Sequence, residues 1–192
     1  PNYTDYPGFW VNDYSKNSKE SLDLVLDTPA DFEPDKEYSY SNTNYLVIGE
    51  ILDRTLGYSH HQYIQKEILM PLKLKNTYNL LNEVDLEDVM SGYDVSYDAD
   101  LKYNDFINPA GSMIATAEDV GIFLRALNDG SLFEPGEQEI YASIYEYEHS
   151  GWVPGYQSFA KYHKDLDAVV IEFYSTTDPK LYNWNLSEII NN

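Results

Sequence analysis

The chain has 192 residues, with 33 acidic against 12 basic side chains and a formal net charge of −21. So acidic a surface repels nucleic acid and anionic membranes, and the absence of cysteine excludes a thiol nucleophile and disulfides. The length suits one domain, or one domain with a lobe, and hydrophobic residues at 43% suffice for a core. No apolar run is long enough to cross a bilayer as a helix. Nineteen tyrosines combine apolar bodies with hydroxyls, which suits a wet, aromatic cleft.

Residues 1–15 read as loop around the turn signal Pro7-Gly8. Residues 18–26 read as a short helix with Ser18 as N-cap, ended by Pro29. Tyr40 and Asn42 stand two apart in an extended lead-in, so both side chains point to one side. There a phenol offers a proton donor or acceptor, and a carboxamide offers both kinds of hydrogen bond. The helix that follows places Tyr45, Ile48, Ile51, Leu52 and Leu56 on one apolar face, and Gly57 stops it. A second helix starts at the cap Ser59 and runs to about residue 69, with Tyr63, Ile64 and Ile68 as its buried side. Residues 80–106 are polar, acidic and Tyr-rich. Asp94, Asp98, Asp100 and Asp105 lack the glycine and closing glutamate of a calcium loop, so they are read as a solvated acidic loop and no metal is assigned.

Thr116 with Asp119 has the spacing of a capping box, with Asp in place of Glu or Gln. Val120, Phe123, Leu124 and Leu127 then give one apolar helical face. Residues 139–175 read as antiparallel strands: 140–149 alternate, and 156–163 and 168–175 flank the polar turn 164–167. Val169, Ile171 and Phe173 alternate with Val170, Glu172 and Tyr174, so both faces of that strand want cover. Residues 183–190 read as a closing helix. The expected fold is α+β: an antiparallel sheet with flanking helices plus a helical lobe. The lobe takes residues 17–130, and the sheet and closing helix take 139–192.

In His149-Ser150-Gly151-Trp152 the glycine lets a substrate or a neighbouring backbone approach a strand edge closely. A serine nucleophile is commonly paired with a lysine one helical turn on. The one Ser-x-x-Lys here, Ser158-Phe159-Ala160-Lys161, falls in a predicted strand, where positions i and i+3 face opposite sides. It is rejected as such a couple. His60, His61 and His163 have no zinc-ligand spacing.

Tyr40-Ser41-Asn42 with Ile48-Gly49 and Thr55-Leu56-Gly57 resembles the Tyr-x-Asn segment of the serine β-lactamase-like family. That family spans class C β-lactamases, D-alanyl-D-alanine carboxypeptidases and related esterases. Met70-Pro71-Leu72-Lys73-Leu74, Ser91-Gly92-Tyr93, the run Pro109-Ala110-Gly111-Ser112-Met113-Ile114-Ala115-Thr116-Ala117-Glu118-Asp119 and the His-x-Gly stretch at His149 resemble further landmarks of it. Lys73 stands where a glycine is usual.

The resemblance implies acyl-enzyme hydrolysis of an amide or ester in a small-molecule or peptide substrate, without metal or cofactor. It implies that Tyr40 shuttles protons and Asn42 orients the substrate amide. His149 would stand beside Tyr40, favouring its phenolate. Ser150, Gly151 and Trp152 would bind substrate, with the Trp152 N–H as an oxyanion-hole donor. It further implies a C-terminal portion, incomplete at the N-terminus, inactive alone and apt to self-associate through uncovered sheet, in a periplasmic or extracellular protein. The alternative is a catalytically inactive binding or scaffold relic of the same fold.

Overall fold

The computed structural model describes residues 1–7, 9, 18–106, 109–144 and 148–178. Two compact units interleave along the sequence. The first comprises Pro1–Gln65, Tyr78–Val84 and Asn104–Ile114, and the second Lys66–Thr77, Asp85–Tyr103 and Ala115–Asn192. The two-residue strands β1 (Thr77–Tyr78) and β2 (Ile114–Ala115) lie where the chain passes between them.

The first unit is built on α1 (Ser18–Asp23) and α2 (Asn42–Leu56). Its core joins Tyr3, Phe9, Val25 and Leu46, with Leu22 and Leu24 packed alongside. The rings of Tyr3 and Phe9 meet edge to face at 5.1 Å, a favoured aromatic geometry. The Ser41 hydroxyl accepts from Thr43 N at the start of α2, and Gly57, left-handed at φ 74, sends its N–H to Asp53 O at the end. Gly57 is the stop the sequence offered, and Ser41 is an N-cap that the sequence reading did not single out.

The buried face of α2 differs from the expected one. Leu46 and Gly49 are buried, whereas Ile48, Ile51 and Leu52 are 50%, 56% and 43% exposed. The reason is close packing on the other side. A Cβ at Gly49 would lie 2.5 Å from Pro109 Cγ, so the helix is drawn in by its glycine.

Ser59 caps α3 (His60–Tyr63) by accepting from His61 N, as expected. The helical run continues through a π-helical turn, Ile64–Leu69, into α4 (Met70–Leu72). Its buried residue is Leu69, and Tyr63 is exposed. The run ends at Lys73, which adopts φ 59, the backbone conformation that glycine supplies most cheaply.

The second unit contains the three-stranded antiparallel sheet, in the order β3 (Glu148–Val153), β4 (Tyr156–His163), β5 (Ala168–Tyr174). Trp152 pairs with Gln157 and Ser158 with Phe173, which fixes the register. α5 (Ala117–Asp129) packs on β4 and β5, burying Leu124 and Ala126. Arg125 grips Asp167 in the β4–β5 turn by two hydrogen bonds of 3.0 and 2.6 Å. β5 is half-buried along most of its length, as its two apolar faces imply.

Two expectations fail in this unit. Residues Glu137–Ala142 form α6, not strand, because the Gly136 turn starts a helical turn rich in Glu and Gln. The capping box is only half made. Thr116 accepts from Asp119 N, but the Asp119 carboxylate reaches out to Asn76 N and the Thr77 hydroxyl, at 2.8 and 2.9 Å. The shorter Asp replaces the box's usual Glu and serves a neighbouring segment. The closing helix expected at 183–190 lies outside the described residues.

Candidate active site

Tyr40 and Asn42 belong to the first unit, and their side chains share a side as the extended spacing requires. The Tyr40 hydroxyl donates to Asn42 Oδ1 at 3.1 Å. Asn42 is the first residue of α2, so the pair stands on a rigid element, as precise chemistry favours.

Its support comes from the first residues of the chain, which sequence reading passed over. Asn2 Oδ1 accepts from Asn42 N at 3.1 Å and from Thr4 N at 3.4 Å. Asn42 Nδ2 donates to Thr4 Oγ1 at 3.3 Å. Thr43 Oγ1 donates to Pro1 O at 2.8 Å and accepts from Tyr3 N at 3.0 Å. The available signal was Asn2-Tyr3-Thr4, a side-chain oxygen two residues ahead of an N–H, which is the pattern of a local Asx turn.

Four phenols crowd this corner. Burial and then the neighbouring phenols of Tyr45 and Tyr38 push the Tyr40 phenol up. Burial and then Tyr40 push Tyr3 to about 12. The resemblance implied a lowered Tyr40, whereas its surroundings within this unit hold the proton on.

The His149 stretch belongs to the second unit. His149 and Ser150 are exposed on β3, opposite Ala160 and Phe159. Trp152 is 48% exposed. Pro154 and Gly155 form the hairpin turn, with Gly155 at φ 89, which suits a Pro-Gly pair. The turn is pinned from below. Gly155 N donates to Thr177 Oγ1 at 2.9 Å, and the Thr177 hydroxyl donates to the Asp94 carboxylate. A two-residue turn makes Val153 and Tyr156 a hydrogen-bonded pair. The alternation of the ladder then directs the Trp152 N–H to the side of β3 away from β4.

Ser158 and Lys161 do not form a catalytic couple. Ser158 Oγ lies 2.5 Å from where a Cβ at Gly151 would stand. Lys161 Nζ pairs with Glu148 Oε2 at 3.3 Å, on the other face of β4. Among the described residues no cluster of three or more potential ligands could hold a metal ion, and no helix is long and apolar enough to cross a membrane. In the acidic loop Asp94 serves Thr177, as above, and Asp100 is used locally. Asp100 accepts from Gly92 N and Lys102 N, each at 3.0 Å.

The family model for Beta-lactamase matches residues 1–143, and the chain belongs to that family. The "Putative D-alanyl-D-alanine carboxypeptidase" of Escherichia coli (strain K12) is 28% identical over 64 residues, which cover 33% of this chain and 15% of that protein. A D-stereospecific amidohydrolase from Streptomyces sp. superposes with a TM-score of 0.77 at 20% identity, over 91% of this chain and 64% of the other. The D-amino acid amidase from Ochrobactrum anthropi SV3, in complex with D-phenylalanine, gives 0.77 at 21% identity, over 95% and 70%. A penicillin binding protein from Bacillus halodurans gives 0.81 at 15% identity, over 99% and 68%. These likenesses show the fold: α+β, with an antiparallel sheet and flanking helices. The chain spans less than two thirds of the amidohydrolase and a small part of the carboxypeptidase relative.

Proposed function

We propose that the chain is part of a serine hydrolase of the β-lactamase and penicillin-binding-protein type, cleaving an amide or ester through an acyl-serine. The supporting observation is the hydrogen-bonded Tyr40–Asn42 pair at the head of α2, in a chain of this family. In this reading Tyr40 carries protons and Asn42 orients the substrate amide. His149 and the Trp152 N–H polarise the carbonyl, with Ser150 and Gly151 lining the substrate's path. The serine comes from polypeptide outside these 192 residues, since Ser158 is in a strand and its Oγ is set over Gly151. Small D-amino-acid amides and D-alanyl peptides are the substrates to try first, on the strength of the relatives' names. Such a protein would work in the periplasm or outside the cell.

The test compares the 192-residue chain with the complete product of its gene, using nitrocefin, D-amino-acid amides and a fluorescent penicillin. The complete product should be acylated, and the chain alone should neither label nor turn over. In the complete product Tyr40→Phe should lower turnover by about 10²–10⁴-fold, the range for a lost general acid–base. Turnover by the chain alone that survives Ser158→Ala would reveal another nucleophile. Loss on that substitution would restore Ser158. Silence of both proteins would favour the binding or scaffold relic.

A further inference from the structure

The carboxamide of Asn42 is engaged at both ends. Its Oδ1 accepts from the Tyr40 hydroxyl at 3.1 Å and its Nδ2 donates to Thr4 Oγ1 at 3.3 Å. The three groups form one chain of hydrogen bonds, from phenol to amide to hydroxyl. This arrangement fits a protonated phenol, because a carboxamide oxygen can only accept. Once the phenol has given its proton away, its oxygen needs a donor, and the facing Oδ1 cannot be one. Turning the carboxamide end for end about its side-chain bond puts Nδ2 on the phenolate and Oδ1 on Thr4. The second half of that exchange works only if position 4 can donate as well as accept. A hydroxyl can, by rotating its hydrogen. A side chain that only accepts or only donates would oppose one orientation.

We infer that Thr4 is a positioning residue, which through its two-way hydroxyl lets Asn42 serve Tyr40 in both of its protonation states. The inference rests on the functional reading of Tyr40 and Asn42 and deepens it. Asn2 fixes the pivot. Its Oδ1 holds Asn42 N and Thr4 N, so the first turn of the chain and the first turn of α2 keep one spacing while the amide turns. Thr43 adds a second tie through Tyr3 N and Pro1 O. The titratable groups that bear on Tyr40 here are the phenols of Tyr45 and Tyr38, with that of Tyr3 on the neighbouring turn. A hydrogen bond with the Tyr45 side chain also bears on the Tyr40 phenol, and the donor that Asn42 delivers adds to it within this unit.

The test follows the proton on Tyr40 directly, and so does not depend on turnover. A 3-fluorotyrosine placed at position 40, which titrates at lower pH than tyrosine, is followed by fluorine NMR in the folded chain. Thr4→Asp, whose carboxylate can only accept, should lower the acid dissociation constant, and by roughly tenfold more than it does in an Asn42→Ala background, where its charge still acts but the amide link is cut; tenfold is the worth of a charge-assisted hydrogen bond. Thr4→Ser should titrate as the parent does. A displacement by Thr4→Asp that is equal in the two backgrounds overturns the inference. If the Thr4→Asp chain fails to fold, Thr4→Asn decides. Its carboxamide can present either end, so parent-like titration supports a two-way partner and a tenfold loss refutes it. Failure of the gene product to hydrolyse anything would remove the functional reading and leave this measurement intact.

Discussion

Lys73 holds φ 59 at the end of α4, where a Cβ crowds the following carbonyl. Asp35 and Asp167 are also left-handed, at φ 62 and φ 45, but Asp has a short polar side chain that eases this region and Lys does not. The left-handed strain on an ordinary residue is about 1–2 kcal/mol, and glycine's greater unfolded entropy returns about half of it. Lys73→Gly should therefore raise stability by about 0.5–1 kcal/mol, read from urea unfolding of the chain. A loss would mean that the Lys73 side chain makes a contact worth more than the strain. Part of this was legible in the sequence, where Lys73 stands at a position that suits glycine. The engagement of Thr4 with Asn42 was not. It joins residues 38 apart in sequence, and local spacing reports no such pairing.

At the scale of elements, the ends of helices were easier to read than their faces. Gly57, Ser59 and Thr116 cap where short-range chemistry says they should, whereas Ser18, expected as a cap, is the first residue of α1, which stops at Asp23 and not at 26. The face of α2 was misread because the deciding contact is with Pro109, far along the chain. An apolar side chain at Ile48 or Ile51 raises the hydrophobic periodicity, but a close approach goes to the residue with no side chain. Strands β4 and β5 were legible from alternation and from the polar turn between them. α6 was not, since six residues with one Ile and one Tyr fit either period. Gly49→Ala tests the close approach. Alanine's better helix propensity offers about 1 kcal/mol, while forcing a methyl against the stiff proline ring, at 2.5 Å, costs about 1–3 kcal/mol. The net expectation is a lowered thermal midpoint. A raised midpoint would show that Pro109 moves aside freely.

Across the whole molecule the charge is the dominant fact. A formal −21 on 192 residues makes the folded chain repel itself, and compact states suffer most. Among the described residues the favourable pairs between full charges are outnumbered by the excess carboxylates, and several are exposed. Arg125–Asp167, Glu148–Lys161 and Arg54–Glu50 all sit in solvent, where such pairs are worth little. Salt weakens both kinds of interaction, and the repulsion is the larger. Raising sodium chloride from about 0.01 M to about 0.5 M at pH 7 shortens the screening length severalfold, so the melting temperature should rise by a few degrees. A fall would mean that the ion pairs outweigh the excess of carboxylates. The same screening would unmask association through the exposed apolar residues of α2, Val47, Ile48, Ile51 and Leu52, so sedimentation belongs beside the melting curve.

The contact between Gly151 and Ser158 carries one more consequence. These cross-strand partners share a single volume, emptied on one side and filled from the other. A methyl at 151 would be met closely by Ser158 Oγ alone, since Ser158 Cβ stands 3.8 Å off, so it is admitted once that hydroxyl turns to another rotamer. The bare glycine therefore decides which way the serine of the lone Ser-x-x-Lys can point, and a larger residue at 151 would turn it.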